Sequence, residues 1–271
     1  MDRLALSPCA FLGGHWDTPP PPPRGAPVAL RLLTWNVYFG GHMFEERADA
    51  LVAELARRRP DVIALQEVTP ELLAMLVAAP WVRASYQVSD VDGRTLTGYG
   101  VIVLSRLPIR RLAAIELPSE MGRRLLVAEL ACGLTVATVH LESMAGYERA
   151  RLAQLAIIQA ALAPADDVAL VGDMNFAPAS EEDRAIAPAL VDVWPALHPD
   201  APGYTVDTDV NAMRAQLKST PTHKRIDRVF LRSDRWRAAA IERVGTEAID
   251  IDGTFVSDHF GLEVALELRE P

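Results

Sequence analysis

Apolar runs that stop at polar side chains are the first constraint on how this chain folds. Val168 to Val171 reads as a buried strand. It breaks at Gly172, and Asp173 and Asn175 follow, an acid and an amide two residues apart. Side chains two apart on an extended backbone point the same way, so this pair faces one spot just past a strand end. Alone, the stretch is a strand running into an Asx-type turn. The arrangement recurs, however. Asn36 ends the run over 28–37, Glu67 follows the run over 61–65, His140 ends the run over 134–140, and Asp258 and His259 precede the last run. A further run over 225–231 carries Asp227 between Ile226 and Val229. Polar groups are costly in a core unless paired. A cap, a turn or an ion pair explains each one singly. Their repeated position at strand ends is explained better by convergence on a common site.

The order of elements indicates how such ends meet. Strand, helix, strand, helix is the reading of residues 28 to about 78, with Pro60 stopping the first helix and Thr69-Pro70 opening the second. Four strand candidates follow over 98–104, 110–117, 125–131 and 134–140. No helix separates them, which predicts antiparallel pairing. An amphipathic helix over 147–162 leads back to the strand carrying Asp173. Short helices over 181–186 and 190–197, a long loop over 203–221 and three closing strands complete the pattern. This is an α/β chain of two mixed, largely antiparallel sheets, each backed by helices. Pro19 to Pro23 form an unbroken run that cannot join a sheet. Residues 1–27 are therefore expected to be a Pro-rich disordered tail, and 28–271 a single folded domain.

Composition narrows the function. Half of the 271 residues are hydrophobic and the formal net charge is −9, so bulk charge does not favour tight duplex binding. A cluster of metal-binding carboxylates would add to that charge. Cys9 and Cys132 lie far apart and form no zinc pattern. No apolar run reaches membrane-spanning length, and no leader pattern opens the chain. A cytoplasmic location with no membrane contact and no obligate protein partner is the expectation. Among the strand-end residues, Glu67 and Asp258 are hard oxygen donors, with Asn36 or Asn175 able to assist. Such donors suit Mg2+, with Mn2+ as a substitute. A cation held there, with an acid orienting water, is chemistry for phosphoester hydrolysis.

The ordered segments TWN, LQEV, HLES, GDMN, RIDRVF and SDH resemble the endonuclease/exonuclease/phosphatase superfamily of metal-dependent phosphoesterases. The resemblance covers about residues 30 to 268. It implies a four-layer α-β-β-α sandwich with its site at one edge of the two sheets. It also implies roles. Glu67 is the main Mg2+ ligand, with Asn36 beside it and Asp258 near the metal. Asp173 positions or deprotonates water, and Asn175 holds a phosphate oxygen or Asp173 itself. His259, oriented by Asp227, contacts the scissile phosphate. His140 and Ser143 lie along the phosphate path, Arg123 supplies positive charge there, and Asn211 sits on a loop reaching the phosphate. The segments LPSEMGRRLL, LVDVW, YTVDTDVN and SDHFGL resemble the branch that removes tyrosyl adducts from DNA 5′ ends. Single-stranded DNA or DNA 5′ ends are then the expected substrate. General nuclease, phosphatase, and lipid or inositol phosphate hydrolase activities are the alternatives within the fold, and an inactive binding module lies outside that class. The chain departs from its relatives at Tyr38, where many carry an acid, and at Ala177, Val206 and Phe260, where the branch has Arg or aromatic residues.

Overall fold

The computed structural model describes residues 3–20, 27–218 and 220–269. In chain order the first strands are β1 (Arg3–Leu6), β2 (Ala10–Leu12), β3 (His15–Asp17) and β4 (Ala29–Asn36). Next come α1 (Phe44–Arg58), β5 (Val62–Val68), α2 (Pro70–Ala78) and α3 (Pro80–Ser85). The middle holds β6 (Gln87–Val88), β7 (Gly100–Ser105), β8 (Ile109–Glu116), β9 (Arg124–Leu130) and β10 (Thr135–His140). Helix α4 (Glu148–Leu162) leads to β11 (Val168–Asp173), α5 (Glu181–Arg184), β12 (Val191–Asp192) and α6 (Val193–Leu197). Last are β13 (Val206–Asp207), α7 (Ala212–Leu217), β14 (His223–Lys224), β15 (Asp227–Arg232), β16 (Trp236–Val244) and β17 (Gly261–Leu268).

Two large sheets dominate, a seven-stranded one in the order β1-β8-β9-β10-β11-β15-β12 and a six-stranded one in the order β16-β17-β4-β5-β7-β6. Parallel pairing occurs between β4 and β5 and between β10 and β11, where α1 and α4 make the crossovers. The other pairs within these sheets are antiparallel. Strand β7 pairs with β5 rather than with its chain neighbour β8. Its residues explain this: Val101 and Val103 face the core between the sheets, while Ile102 and Leu104 join the helix-side cluster. A strand apolar on both faces belongs inside a sheet covered on both sides.

The sheets pack face to face through Leu32, Val62, Val136, Val171, Val229 and Val264. Helices α1 and α2 cover the smaller sheet with Leu51, Leu55, Leu72 and Leu76. On the larger sheet, Leu155, Ile158 and Leu162 of α4 lie over Leu170 and Phe230. The four-layer α-β-β-α sandwich expected from the sequence is therefore the fold. Thr69 caps α2 by accepting from Leu72 N, with Pro70 in the first turn. Leu55 is fully buried on the stripe of α1, and its truncation to Ala costs about 2–5 kcal/mol.

The N-terminal expectation needs correcting. Residues 3–17 are not a disordered tail. Strand β1 pairs with β8 at the edge of the larger sheet, from Arg3–Ile115 to Leu6–Leu112. Cys9 then exchanges backbone hydrogen bonds of 2.9 and 2.8 Å with Val88, on the edge strand β6 of the smaller sheet. The β2–β3 hairpin stacks Phe11 edge-on against Trp16. Prolines stop a strand only where they stand, and the residues before them keep their N–H groups. Much of the proline run itself, residues 21–23, lies outside the described residues.

Candidate active site

The polar strand ends do converge, and the register shows how. His140 and Asp173 are partners on the parallel strands β10 and β11, and Asp173 is opposite Asp227 of β15. These three side chains form a row across the larger sheet. Gly172 permits the close approach of β10 and β11: a Cβ there would lie 2.0 Å from the Val139 carbonyl oxygen. Facing this row, Asn36 ends β4 beside β5. In β5 the pairing with β7 slips between Leu65 and Val68, so that Gln66 and Glu67 together oppose Val101. This bulge puts Glu67 at φ 62 and aims its carboxylate into the site. Tyr38 and Asn175 also have positive φ, 58 and 53. Three strained non-glycine residues at one edge mark a site that the surrounding fold holds in place.

Asp173 is the most heavily supported group. Its Oδ1 accepts from Asn175 N at 2.9 Å, and its Oδ2 accepts from Asn36 Nδ2 at 3.0 Å. His140 Nε2 lies 3.4 Å from Oδ2. His259 Nδ1 is 2.8 Å from Asp227 Oδ2 and 4.0 Å from Asp173 Oδ2. Burial opposes charge on this imidazole, but Asp227, Asp258 and Asp173 overcome it and push its pKa up to about 10. Burial and the Asp227 charge raise Asp173 to about 7, against the pull of His259. His140 moves the other way: burial, then the charges of Arg123 and His259, hold it well below the usual histidine range. It is therefore neutral. Arg123 Nη1 donates to its Nδ1 at 3.0 Å, which leaves the Nε2 proton facing Asp173 and Ser143.

The other side of the site is less self-contained. Glu67 Oε1 accepts from Asn36 Nδ2 at 2.9 Å, and Oε2 accepts from Phe39 N at 2.9 Å. Burial and the neighbouring Asp258 charge raise the Glu67 pKa. Arg214 of α7 pairs with Asp258. A carboxylate whose ionisation is opposed by a neighbouring carboxylate fits a divalent cation, and the all-oxygen donor set of the pair suits a hard one. Asp173, Asp227 and His259 also bring ligand-type atoms within 4.8 Å of one another. There, however, the imidazole already serves as the internal cation, and a metal would have to break its 2.8 Å bond to Asp227. Glu67 and Asp258 are the better metal pair.

Both sides line one open cleft of about 700 Å³. On one wall Phe39 stacks on Tyr99, with centroids 4.4 Å apart and planes 12° from parallel. Arg123 lies 5.4 Å from the Tyr99 centroid. Its Nη2 donates to Ser143 Oγ at 2.8 Å, so the guanidinium is pinned beneath the cleft. Exposed Lys218 and Lys224 line the cleft too. The structure thus brings Asn36, Glu67, Arg123, His140, Ser143, Asp173, Asn175, Asp227, Asp258 and His259 together.

Asn211 is the exception. It is 0% exposed, accepts from Arg214 N at 2.8 Å and donates to Ser257 O at 2.9 Å. Both ends of its amide are committed to the cap of α7 and the turn before Asp258, so it does not face the phosphate path. Residues missed at the sequence level are Phe39, Tyr99, Arg214 and Glu142. The buried Glu142 carboxylate accepts from Ser119 Oγ, from Glu120 N at 3.0 Å and from Gln154 Nε2 at 3.3 Å. It thereby holds the loop that carries Arg123. An acid in HLES followed by a helix with Gln at its inner face was the available signal. Nothing in the sequence marks the meeting of Phe39 with Tyr99.

A two-sheet sandwich whose strand ends gather an Asp–His pair, a second Asp and a Glu–Asp pair in one cleft is the architecture of a metal-dependent phosphoesterase. The model of the endonuclease/exonuclease/phosphatase family matches residues 33–259, and the chain belongs to that family as a metal-dependent phosphodiesterase. Within it, the chain is similar to tyrosyl-DNA phosphodiesterase 2 of Homo sapiens, 32% identical over 259 residues that cover 88% of this chain and 68% of that protein. The Mus musculus protein of the same name is 30% identical over 91% of this chain and 69% of its own length. The crystal structure of D. rerio TDP2 with a single-strand DNA product superposes with a TM-score of 0.77 at 27% identity, covering 88% of this chain and 99% of that one. Among the described residues, no helix is long and apolar enough to cross a membrane.

Proposed function

We propose that the protein hydrolyses the phosphodiester joining an aromatic adduct, a tyrosyl group above all, to the 5′ end of single-stranded DNA, as a DNA-repair activity that uses Mg2+ or Mn2+. One observation carries the choice of substrate. Phe39 holds Glu67 through its backbone N–H and presents its ring, stacked on Tyr99, to the same cleft. An aromatic platform whose backbone hydrogen-bonds the proposed metal ligand suits a substrate with an aromatic group beside the scissile phosphate. Stacking of this kind is worth about 1–3 kcal/mol per base and tolerates any base sequence. Lys218 and Lys224 supply local positive charge for the strand, despite the acidic chain.

The roles follow from the protonation states. His259 is cationic near neutral pH, so it stabilises charge on the phosphate and does not abstract a proton. Asp227 orients it. Asp173 is the group poised to take a proton from the attacking water, because its pKa sits near the working pH. Asn36 and the Asn175 backbone fix its two oxygens, and neutral His140 donates toward it. Glu67 and Asp258 would hold the cation, which when bound neutralises phosphate charge. Residues 28–271 act as one catalytic domain in this reading.

A substrate panel tests it. With Mg2+ present, 5′-phosphotyrosyl single-stranded DNA is expected to be cleaved fastest among that substrate, abasic duplex DNA, RNA, inositol phosphates and sphingomyelin. Faster cleavage of any other member overturns the substrate while leaving the family intact.

A further inference from the structure

Arg214 is a charged group in the cleft that the roles above leave unused. It belongs to α7, which Asn211 caps and ties to Ser257 O. Met213 of the same helix packs in a small apolar cluster with Phe255 and Phe260. With its backbone held from both sides, the Arg214 side chain extends into the cleft, and Nη1 donates to Asp258 Oδ2. Among the described residues this is the one hydrogen bond its guanidinium makes, and Nε is buried with no partner. A guanidinium carries five donors, so most of this one is idle. Its partner is the carboxylate assigned above to the divalent cation.

We infer that Arg214 is an internal counter-ion of the cation site and a phosphate-binding residue of the reaction. It neutralises Asp258 when no divalent cation is there, and it turns to the substrate phosphate when the cation holds Asp258. This rests on the reading of Glu67 and Asp258 as the metal ligands. Two cations on one carboxylate repel each other, so whatever holds Arg214 on Asp258 subtracts from metal affinity, and the reverse is true by linkage. The released guanidinium is a planar fork that matches two phosphate oxygens. Asn211 fits here as a positioning residue, since its cap fixes where Arg214 begins.

The test measures metal binding apart from turnover. Mn2+ is titrated calorimetrically into the full chain without DNA, for the unsubstituted protein and for Arg214→Ala, Arg214→Gln and Arg214→Lys. Removing a partly buried ion-pair partner should tighten Mn2+ binding about 5- to 10-fold in the Ala and Gln variants. Arg214→Lys should stay near the unsubstituted value. At saturating Mn2+, KM for a 5′-phosphodiester DNA should rise in Ala and Gln, opposite in direction to the metal effect. A merely structural loss of α7 would weaken both. Arg214→Gln keeps part of the aliphatic stem and the helix propensity of α7, so it serves if Arg214→Ala unfolds. Equal or weaker Mn2+ affinity in Arg214→Gln overturns the inference alone. Failure of the unsubstituted protein to bind Mn2+ is a different result, and it overturns the ligand reading of Glu67 and Asp258 together with the inference.

Discussion

The two halves of the cleft solve the problem of buried charge differently. Asp173, Asp227 and His259 form a group that carries its own cation: the imidazolium sits 2.8 Å from one carboxylate and 4.0 Å from the other. Asn36, Asn175 and His140 supply further donors to Asp173. The Glu67–Asp258 half has no histidine between its acids. It relies on Phe39 N, Asn36 and Arg214, and the charges still oppose one another. A group whose one cation lies against both carboxylates keeps its geometry and shifts pKa values; where the one cation, Arg214, pairs with Asp258, Glu67 is left to neutral donors and an outside cation fits. In the proposed reading one half transfers the proton and the other holds the metal.

Substitution in each half should separate the two roles. Asp173→Asn is expected to lower kcat by about 10²- to 10⁴-fold while Mn2+ affinity stays near that of the unsubstituted protein. Glu67→Gln should do the reverse, weakening Mn2+ binding by roughly the 10- to 100-fold typical of lost metal-site partners or more. Calorimetry and single-turnover rates on the same two proteins distinguish them, and equal loss of metal affinity in both would merge the halves into one site.

Stability against pH is the next largest effect. His259 is raised from an unfolded value of about 6.5 to about 10 in the fold. Below the unfolded value both states carry the proton, and the stabilisation is complete. As pH rises toward 10 the unfolded chain has lost its proton and the folded one keeps it. Unfolding free energy should then fall by up to ~1.4 kcal/mol per pH unit. Urea melts of metal-free protein between pH 7 and 10 measure the slope, and Asp227→Asn should flatten it. A slope unchanged by that substitution would show that the proton is held elsewhere.

The smallest effect concerns what holds the halves together. His140, Asp173 and Asp227 come from the larger sheet, and Asn36 and Glu67 from the smaller. The segment 3–17 hydrogen-bonds to an edge strand of each. Deleting residues 1–18 is expected to cost about 2 kcal/mol, a fall of roughly 4–8 °C in Tm. Calorimetric melting checks this, and an unchanged Tm would show that the segment adds nothing to the sandwich.

Most of the architecture could be read along the chain. Residue periodicity gave the helices, and apolar runs gave the long strands, because burial is written locally into composition. The acids that line the site were legible because each interrupts an apolar run at its end. The edge strand β1 was not, since four mostly exposed residues in a stretch that ends in a proline run carry little pattern. Strand β7 could be placed only once both of its faces were seen to be covered.

By itself the sequence determined which polar residues gather at one site: Asn36, Glu67, Asp173, Asp227, Asp258 and His259 are marked by the cost of polar groups at strand ends. Tertiary structure alone decided how they divide. The bulge that aims Glu67, the pairing of His259 with Asp227, the commitment of Asn211 to a cap and the placement of Arg214 on Asp258 all join residues far apart in the chain. Charge and hydrogen bonding act over a few ångströms of space, and sequence separation does not report that distance.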